Sequence, residues 1–163
     1  MRAKRPAQSW PPSRIQRAVS GRHGYNTEMK NPAEEVAQAF VRAINRKDVD
    51  GLVALMAPEY RFVDSLGVAV VGREKMRAGW AAYFKMVPDY CIAVEEIFSD
   101  GPVAMLLGVA EGTYAPNGAA LKTINHWKTQ AAIRAQVEDG LVVEWRVYAD
   151  NEPIRDRMRK SGL

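Results

Sequence analysis

The chain is poor in the groups that most often announce a chemistry. Its 163 residues include a single cysteine, Cys91, and only two histidines, His23 and His126. One thiol cannot close an intramolecular disulfide, and two imidazoles with one thiol are too few for a zinc cluster. Neither a metal centre nor an organic cofactor is expected, and a reducing, cytoplasmic setting fits best. No run approaches the roughly 20 apolar residues that a membrane-spanning helix requires, and nothing resembles the continuous apolar core of a secretory signal. The chain reads as water-soluble, with no membrane partner.

Positive charge is scarce where nucleic-acid binding would need it. The formal net charge is +4. Residues 1–28 hold Arg2, Lys4, Arg5, Arg14, Arg17 and Arg22 against one acid, Glu28, a net of +5, which leaves −1 for everything after them. A phosphate-binding protein gathers cations on a folded face, so no nucleic-acid partner is expected. Residues 1–29 contain Trp10-Pro11-Pro12, Gly21 and Gly24, have no helical apolar period, and read as a disordered basic tail. They read first as an overcalled translation start with Met29 as the true one, then as a functionless tail, and last as an arginine-rich targeting peptide.

What is present is the pattern of one folded unit over residues 30–160, a length suited to a single core. Asn31-Pro32-Ala33-Glu34 has a good N-cap, a proline suited to the first helical position, and a glutamate placed to close a capping box. Ala33, Val36, Ala37, Phe40, Val41 and Ile44 then recur at helical spacing up to about Lys47. Asp48 to Met56 reads as a second, short helix that Pro58 cannot extend. Tyr60 to Asp64 alternates like a strand, with Phe62 and Asp64 on one face. After Gly67 and Gly72 a third helix carries Met76, Trp80, Tyr83, Phe84 and Val87 on one stripe until Pro88.

From Tyr90 the texture changes to β-type runs: Tyr90 to Ser99, Val103 to Tyr114, Leu121 to Val137 and Leu141 to Tyr148. The turns between them are Asp100-Gly101-Pro102, Pro116-Asn117-Gly118 and Glu138-Asp139-Gly140. Short turns between long strands predict an antiparallel meander. The fold class is therefore α+β, a cone-shaped curved antiparallel sheet covered by three N-terminal helices, with a cavity at its wide mouth. Ile154 to Lys160 offers one more short helix.

This element order, together with Gln38-Ala39-Phe40-Val41, Lys47-Asp48-Val49-Asp50-Gly51-Leu52, Phe62-Val63-Asp64-Ser65-Leu66-Gly67, Val71-Gly72-Arg73-Glu74 and Trp145-Arg146-Val147-Tyr148-Ala149-Asp150, resembles the nuclear transport factor 2-like superfamily. That superfamily includes ketosteroid isomerase, the SnoaL-like polyketide cyclases and limonene epoxide hydrolase. The resemblance covers about Pro32 to Arg157 and implies the cystatin-like roll and a small-molecule pocket. It also implies that Asp64 stands where ketosteroid isomerase has its general base. The two oxyanion donors of that enzyme fall at Phe40 and near Ala132 or Ile133, and the acids of the cyclases and the epoxide hydrolase fall at Val147. None of these side chains can donate a hydrogen bond, and each missing oxyanion contact weakens transition-state binding by roughly 3 to 4 kcal/mol.

The candidate catalytic residues are Asp64, Tyr83, His126 and Asp150. A carboxylate facing an apolar cavity is shifted toward proton-transfer chemistry; alternatively, Asp64 caps the turn before Gly67. Tyr83 shares the stripe of Trp80, His126 is the one imidazole of the folded part, and Asp150 follows the last strand, where it also suits a cap. The expected pocket wall is Phe40, Phe62, Trp80, Ile97, Met105, Leu107, Trp127, Ile133, Trp145 and Val147, which suits a small apolar molecule. Two function classes follow: a cofactor-independent isomerase, cyclase or hydrolase with Asp64 as base, or a non-catalytic ligand-binding or dimeric interaction module. A homodimer is expected in either case, because the uncovered sheet face needs a partner.

Overall fold

A computed structural model describes residues 31–161 of the chain. The reading of residues 1–29 as a tail or miscalled start lies outside them. Helix α1 (Pro32–Arg46) begins as its sequence predicts, with Asn31 Oδ1 accepting from the Ala33 amide at 2.8 Å and Pro32 in the first turn. Glu34 closes no capping box; its carboxylate accepts from Gln38 Nε2 at 3.2 Å. The stripe Ala37, Phe40, Val41 and Ile44 is buried, and Lys47 ends the helix in the left-handed conformation at φ 57. Helix α2 (Val49–Ala54) is capped by Asp48, which accepts from the Gly51 amide at 2.8 Å. A Cβ on Gly51 would lie 2.3 Å from Asp48 Oδ2, so this cap needs glycine. The helix is shorter than expected because Met56 already opens strand β1 (Met56–Val63). Pro58 sits inside that strand, in the stretch where the pairing register shifts between Met56 and Arg61. A residue without an N–H is tolerated at such a break.

Strand β2 (Ala69–Val71), which the sequence did not announce, pairs back on β1, and helix α3 (Arg73–Met86) follows. Then come β3 (Cys91–Asp100), β4 (Val103–Thr113), β5 (His126–Glu138) and β6 (Leu141–Ala149), and finally helix α4 (Glu152–Lys160). These strands form one six-stranded sheet in the order β2-β1-β6-β5-β4-β3. The meander β3 to β6 is antiparallel as expected, whereas β1 lies parallel to β6, so the sheet is not antiparallel throughout. Two 3₁₀ turns, Pro116–Gly118 and Thr123–Asn125, replace the expected strand start at Leu121. Asn125 holds that loop by donating to the Tyr114 carbonyl at 3.1 Å.

The register fixes which residues look inward. Ala104 faces Ala135, Leu106 faces Ile133, and Ile133 faces Val147, so even positions of β4 and odd positions of β5 and β6 meet the helices. Met105 and Leu107 therefore belong to the outer face, and Leu107 is 36% exposed, against the sequence expectation that both line the pocket. The core packs most densely at one end of this layer, where Phe40 lies against Trp145 at 4.6 Å between ring centroids and against Tyr60 at 5.9 Å. Asn45 of α1 ties helix to sheet with two bonds of 2.9 Å, donating to the Ile92 carbonyl and accepting from its amide.

Candidate functional site

At the other end the inner face is not filled. The C-terminal ends of β1, β4 and β6 and the starts of β3 and β5 meet there, and between them and α3 lies a cavity of about 370 Å³. Its origin is a run of small side chains where large ones would close the gap. Gly79 on α3 and Ala110, Ala131 and Ala149 on three strands all line the space, and Ala131 and Ala149 are cross-strand partners. A Cβ added at Gly79 would meet only the Met76 side chain, at 3.6 Å and beyond.

Aromatic rings surround this void. Phe62 and Trp80 meet at 74° with centroids 6.2 Å apart, Trp80 and Tyr83 at 84° and 6.1 Å, and Tyr83 and Tyr90 at 86° and 5.0 Å. Trp127 then stacks near Tyr90 at 6.0 Å, and Trp145 closes the floor. Tyr90 is placed by its neighbour Asp89, whose carboxylate accepts from the Thr113 amide at 2.6 Å and its hydroxyl at 2.7 Å. Burial pushes the Asp89 carboxyl up, but these bonds to Thr113 outweigh it and leave it below the usual carboxylate range. Gly112, beside Thr113, lets this corner approach, since a Cβ there would lie 2.4 Å from Val87.

Asp64 stands at the rim, directly after β1 and next to Phe62. Of its two expected roles, the turn cap is visible. Its Oδ1 accepts from the amides of Leu66 and Val68, each at 2.9 Å, and its carbonyl accepts from Gly67, which takes φ 82 to complete the turn. Oδ2 has no hydrogen-bond partner among the described residues. One oxygen thus fixes the carboxylate while the other points to no group of the described residues. Ser65 and Asn151 share the rim, and among the described residues the lining contains no lysine, arginine or histidine.

The phenols stay protonated. Burial raises Tyr83 and Tyr90 well above the ordinary tyrosine range, the neighbouring Tyr90 adding to the effect on Tyr83. Tyr60, deeper in the core, is likewise raised by burial. The Tyr60 hydroxyl and the indole N–H groups of Trp80 and Trp127 make no hydrogen bond within 3.5 Å among the described residues. Asp64 is the one carboxylate among the described residues that line the cavity.

Of the sequence candidates, Asp64, Phe62, Trp80, Tyr83, Trp127, Ile133, Trp145 and Val147 come together around the cavity. Six do not. Phe40 is wholly buried in the packed end, and Ile97 joins that core as a partly buried side chain. Met105 and Leu107 lie on the outer face, as the register requires. His126 opens β5 one residue before the inward Trp127, so it faces away. There Nδ1 lies 3.4 Å from the Thr113 hydroxyl, and Nε2 lies 3.6 Å from Glu111. Asp150 is exposed and accepts from the Glu152 amide at 2.9 Å, a turn bond one residue ahead of Asn151, the N-cap of α4. Asn151, its neighbour, takes the rim position instead.

Sequence reasoning also missed residues. Tyr90 and Ile92 could have been found, because they share the parity of one strand face. The alanines could not, since small residues carry no signal of facing a void. Helix α4 brings Ile154 to the cavity although none of its residues is buried, and it is attached through Arg157 Nε, which donates to the His126 carbonyl at 3.1 Å. Among the described residues no helix is long and apolar enough to cross a membrane, and no group of three metal-ligating side chains occurs.

No curated protein sequence matches the chain. Among solved structures it is similar to a candidate SnoaL-like polyketide cyclase from Shewanella denitrificans, with TM-score 0.68 and 15% identity over 78% of this chain and 97% of that one. It is also similar to an LEH-like epoxide hydrolase from Mycobacterium tuberculosis, with TM-score 0.65 and 16% identity over 79% and 90% of the two chains. A hypothetical protein with a ketosteroid isomerase-like fold from Catenulispora acidiphila, solved with trimethylamine, gives TM-score 0.64 and 17% identity over 76% and 91%. These identities establish the shared fold, an α+β cone of the nuclear transport factor 2-like kind. The SnoaL-like domain family matches residues 37–148, most of the folded part, and the chain belongs to that family.

Proposed function

We propose that the protein is a small-molecule enzyme that seats an apolar, ring-bearing molecule in the aromatic cavity and uses the free oxygen of Asp64 as a general base. The observation that carries this reading is the divided role of Asp64, one oxygen held by two amides and the other unpartnered beside the void. A carboxylate oriented by its own turn spends no conformational freedom at the moment of proton transfer. The reaction class is isomerisation, cyclisation or hydrolysis, with no metal or organic cofactor in the scheme. The residues that resemble the oxyanion donors of ketosteroid isomerase are apolar, so the donors left for a substrate oxygen are the protonated phenols of Tyr83 and Tyr90 and the unpartnered indole N–H groups of Trp80 and Trp127.

The test compares wild type with Asp64→Asn on enolisable ketones, lactones and epoxides. Asparagine keeps an oxygen for the Leu66 and Val68 amides, so the fold is retained, while turnover falls by roughly 10²- to 10⁴-fold. Equal rates in the two proteins remove Asp64 from the mechanism. That outcome favours the second reading, a binding module, which rests on the absence of a dedicated oxyanion pair.

A homodimer belongs to the same proposal. The outer face exposes Phe98, Leu107 and Tyr148. On its β1–β6 side, Glu144 gathers Arg61 and Arg134 at 3.0 Å and Arg146 at 3.3 Å, a net positive cluster, while Glu96 lies toward β3. Two copies facing each other about a two-fold axis would set arginine against glutamate across an apolar centre. Sedimentation showing only monomer at all concentrations overturns this part.

A further inference from the structure

The lining of the cavity names a charge type for its ligand. Resting on the reading of the cavity as a ligand site, we propose that the molecule it takes is an organic cation, an alkylated amine whose ammonium group sits in the box made by Trp80, Tyr83, Tyr90 and Trp127. The first support is geometric. Three successive ring pairs from Phe62 to Tyr90 meet at 74°, 84° and 86°, so the ring planes turn through near right angles along that run, and Trp127 then lies against Tyr90 at 28° to extend its wall. Ring faces carry the negative side of the aromatic quadrupole, and rings set as walls are the arrangement that holds an alkylated ammonium.

The second support is electrostatic. Among the described residues the lining carries one formally charged side chain, the Asp64 carboxylate, and no lysine, arginine or histidine. Asp64 has no salt-bridge partner among the described residues; its bonds are to two backbone amides. An anionic ligand would meet a carboxylate at the rim and no lysine, arginine or histidine within. A neutral ligand would be accepted but would leave the carboxylate unmatched. A cation is drawn in by Asp64 and is then solvated by the rings. Because burial holds Tyr83 and Tyr90 in their protonated form, they line the box as neutral rings at any ordinary pH.

The two roles divide along one molecule. The cation occupies the box and the remainder of the ligand extends toward the rim, so Asp64 acts on a part of the substrate separate from the nitrogen. The ring chain runs from Phe62, next in sequence but one to Asp64, to Trp127 at the start of β5, which leaves a path between the two.

The test uses two probes of nearly equal shape, para-(trimethylammonio)phenol and para-tert-butylphenol, titrated into the full-length protein by calorimetry at neutral pH. The expected result is that the cationic probe binds roughly tenfold or more tightly than its neutral twin, the range of a desolvated cation–π contact. Tyr90→Leu and Trp127→Leu should each reduce that preference, with circular dichroism confirming the fold. Asp64→Asn should weaken the cation and leave the neutral probe unchanged, a split that a merely structural role does not produce. Equal or tighter binding of para-tert-butylphenol overturns the cation assignment and leaves the base role of Asp64 standing. Failure of both probes to bind at millimolar concentration overturns the cavity reading and the cation together.

Discussion

The two ends of the inner layer are made from similar side chains and reach opposite outcomes. At the closed end Phe40, Tyr60 and Trp145 meet ring to ring, backed by Leu52, Met56 and Val142, none of which is more than 1% exposed. At the open end Phe62, Trp80, Tyr83, Tyr90 and Trp127 stand around a void, because Gly79, Ala110, Ala131 and Ala149 hold back from it. Aromatic content is thus no guide to whether a region is core or site. The small residues between the rings decide it, and a protein interior at normal density would not leave about 370 Å³ empty without them.

This contrast can be attacked from both sides. The largest effect is expected at the closed end, where Phe40→Ala removes a ring with no space to relax into and should cost about 3 to 5 kcal/mol in urea unfolding. The buried phenols supply the next test. Their folded pKa values lie above the unfolded value of about 10, so the stability they contribute is complete below that pH and is lost as pH rises above it. Denaturant midpoints should therefore fall steeply on the alkaline side, and Tyr90→Phe should flatten that limb. At the open end the sign should reverse. Ala131→Leu puts apolar volume into the void, so it should raise stability by about 1 kcal/mol or more while abolishing probe binding in the same calorimeter. A drop as large as that of a core substitution would mean the space is not available. The smallest change is expected from Arg157→Ala, which loses one bond to the His126 carbonyl, about 0.5 to 1 kcal/mol, and should speed release of a bound probe in stopped-flow fluorescence.

Most of the architecture could be read in advance because its signals are periodic. The stripe of α1, its Asn31 cap and the turns between the strands each have a local physical cause that no distant contact needs to supply. The errors have a common origin as well. Val103 to Leu107 is apolar at both parities, so alternation could not say which residues face in; pairing with β5 decides it, and it sends Met105 and Leu107 outward. His126 was misplaced by one position for the same reason. Asp64 was legible either as a turn cap or as a base; the structure shows the cap, with Oδ1 accepting from the Leu66 and Val68 amides, and leaves Oδ2 without a partner among the described residues. The void itself was illegible, since alanine at three separated positions means nothing until the sheet brings them together.

Helix α4 borders the opening with Ile154, yet buries none of its residues and keeps most of its ion pairs to itself, with Asp156 held by Lys160 at 2.8 Å and Glu152 by Arg159. A segment so loosely subscribed to the rest of the molecule can swing aside at a small fraction of the global unfolding free energy. On the proposed reading of the cavity, the nine residues of this helix are the part that can yield to a guest while the sheet and α3 hold their shape.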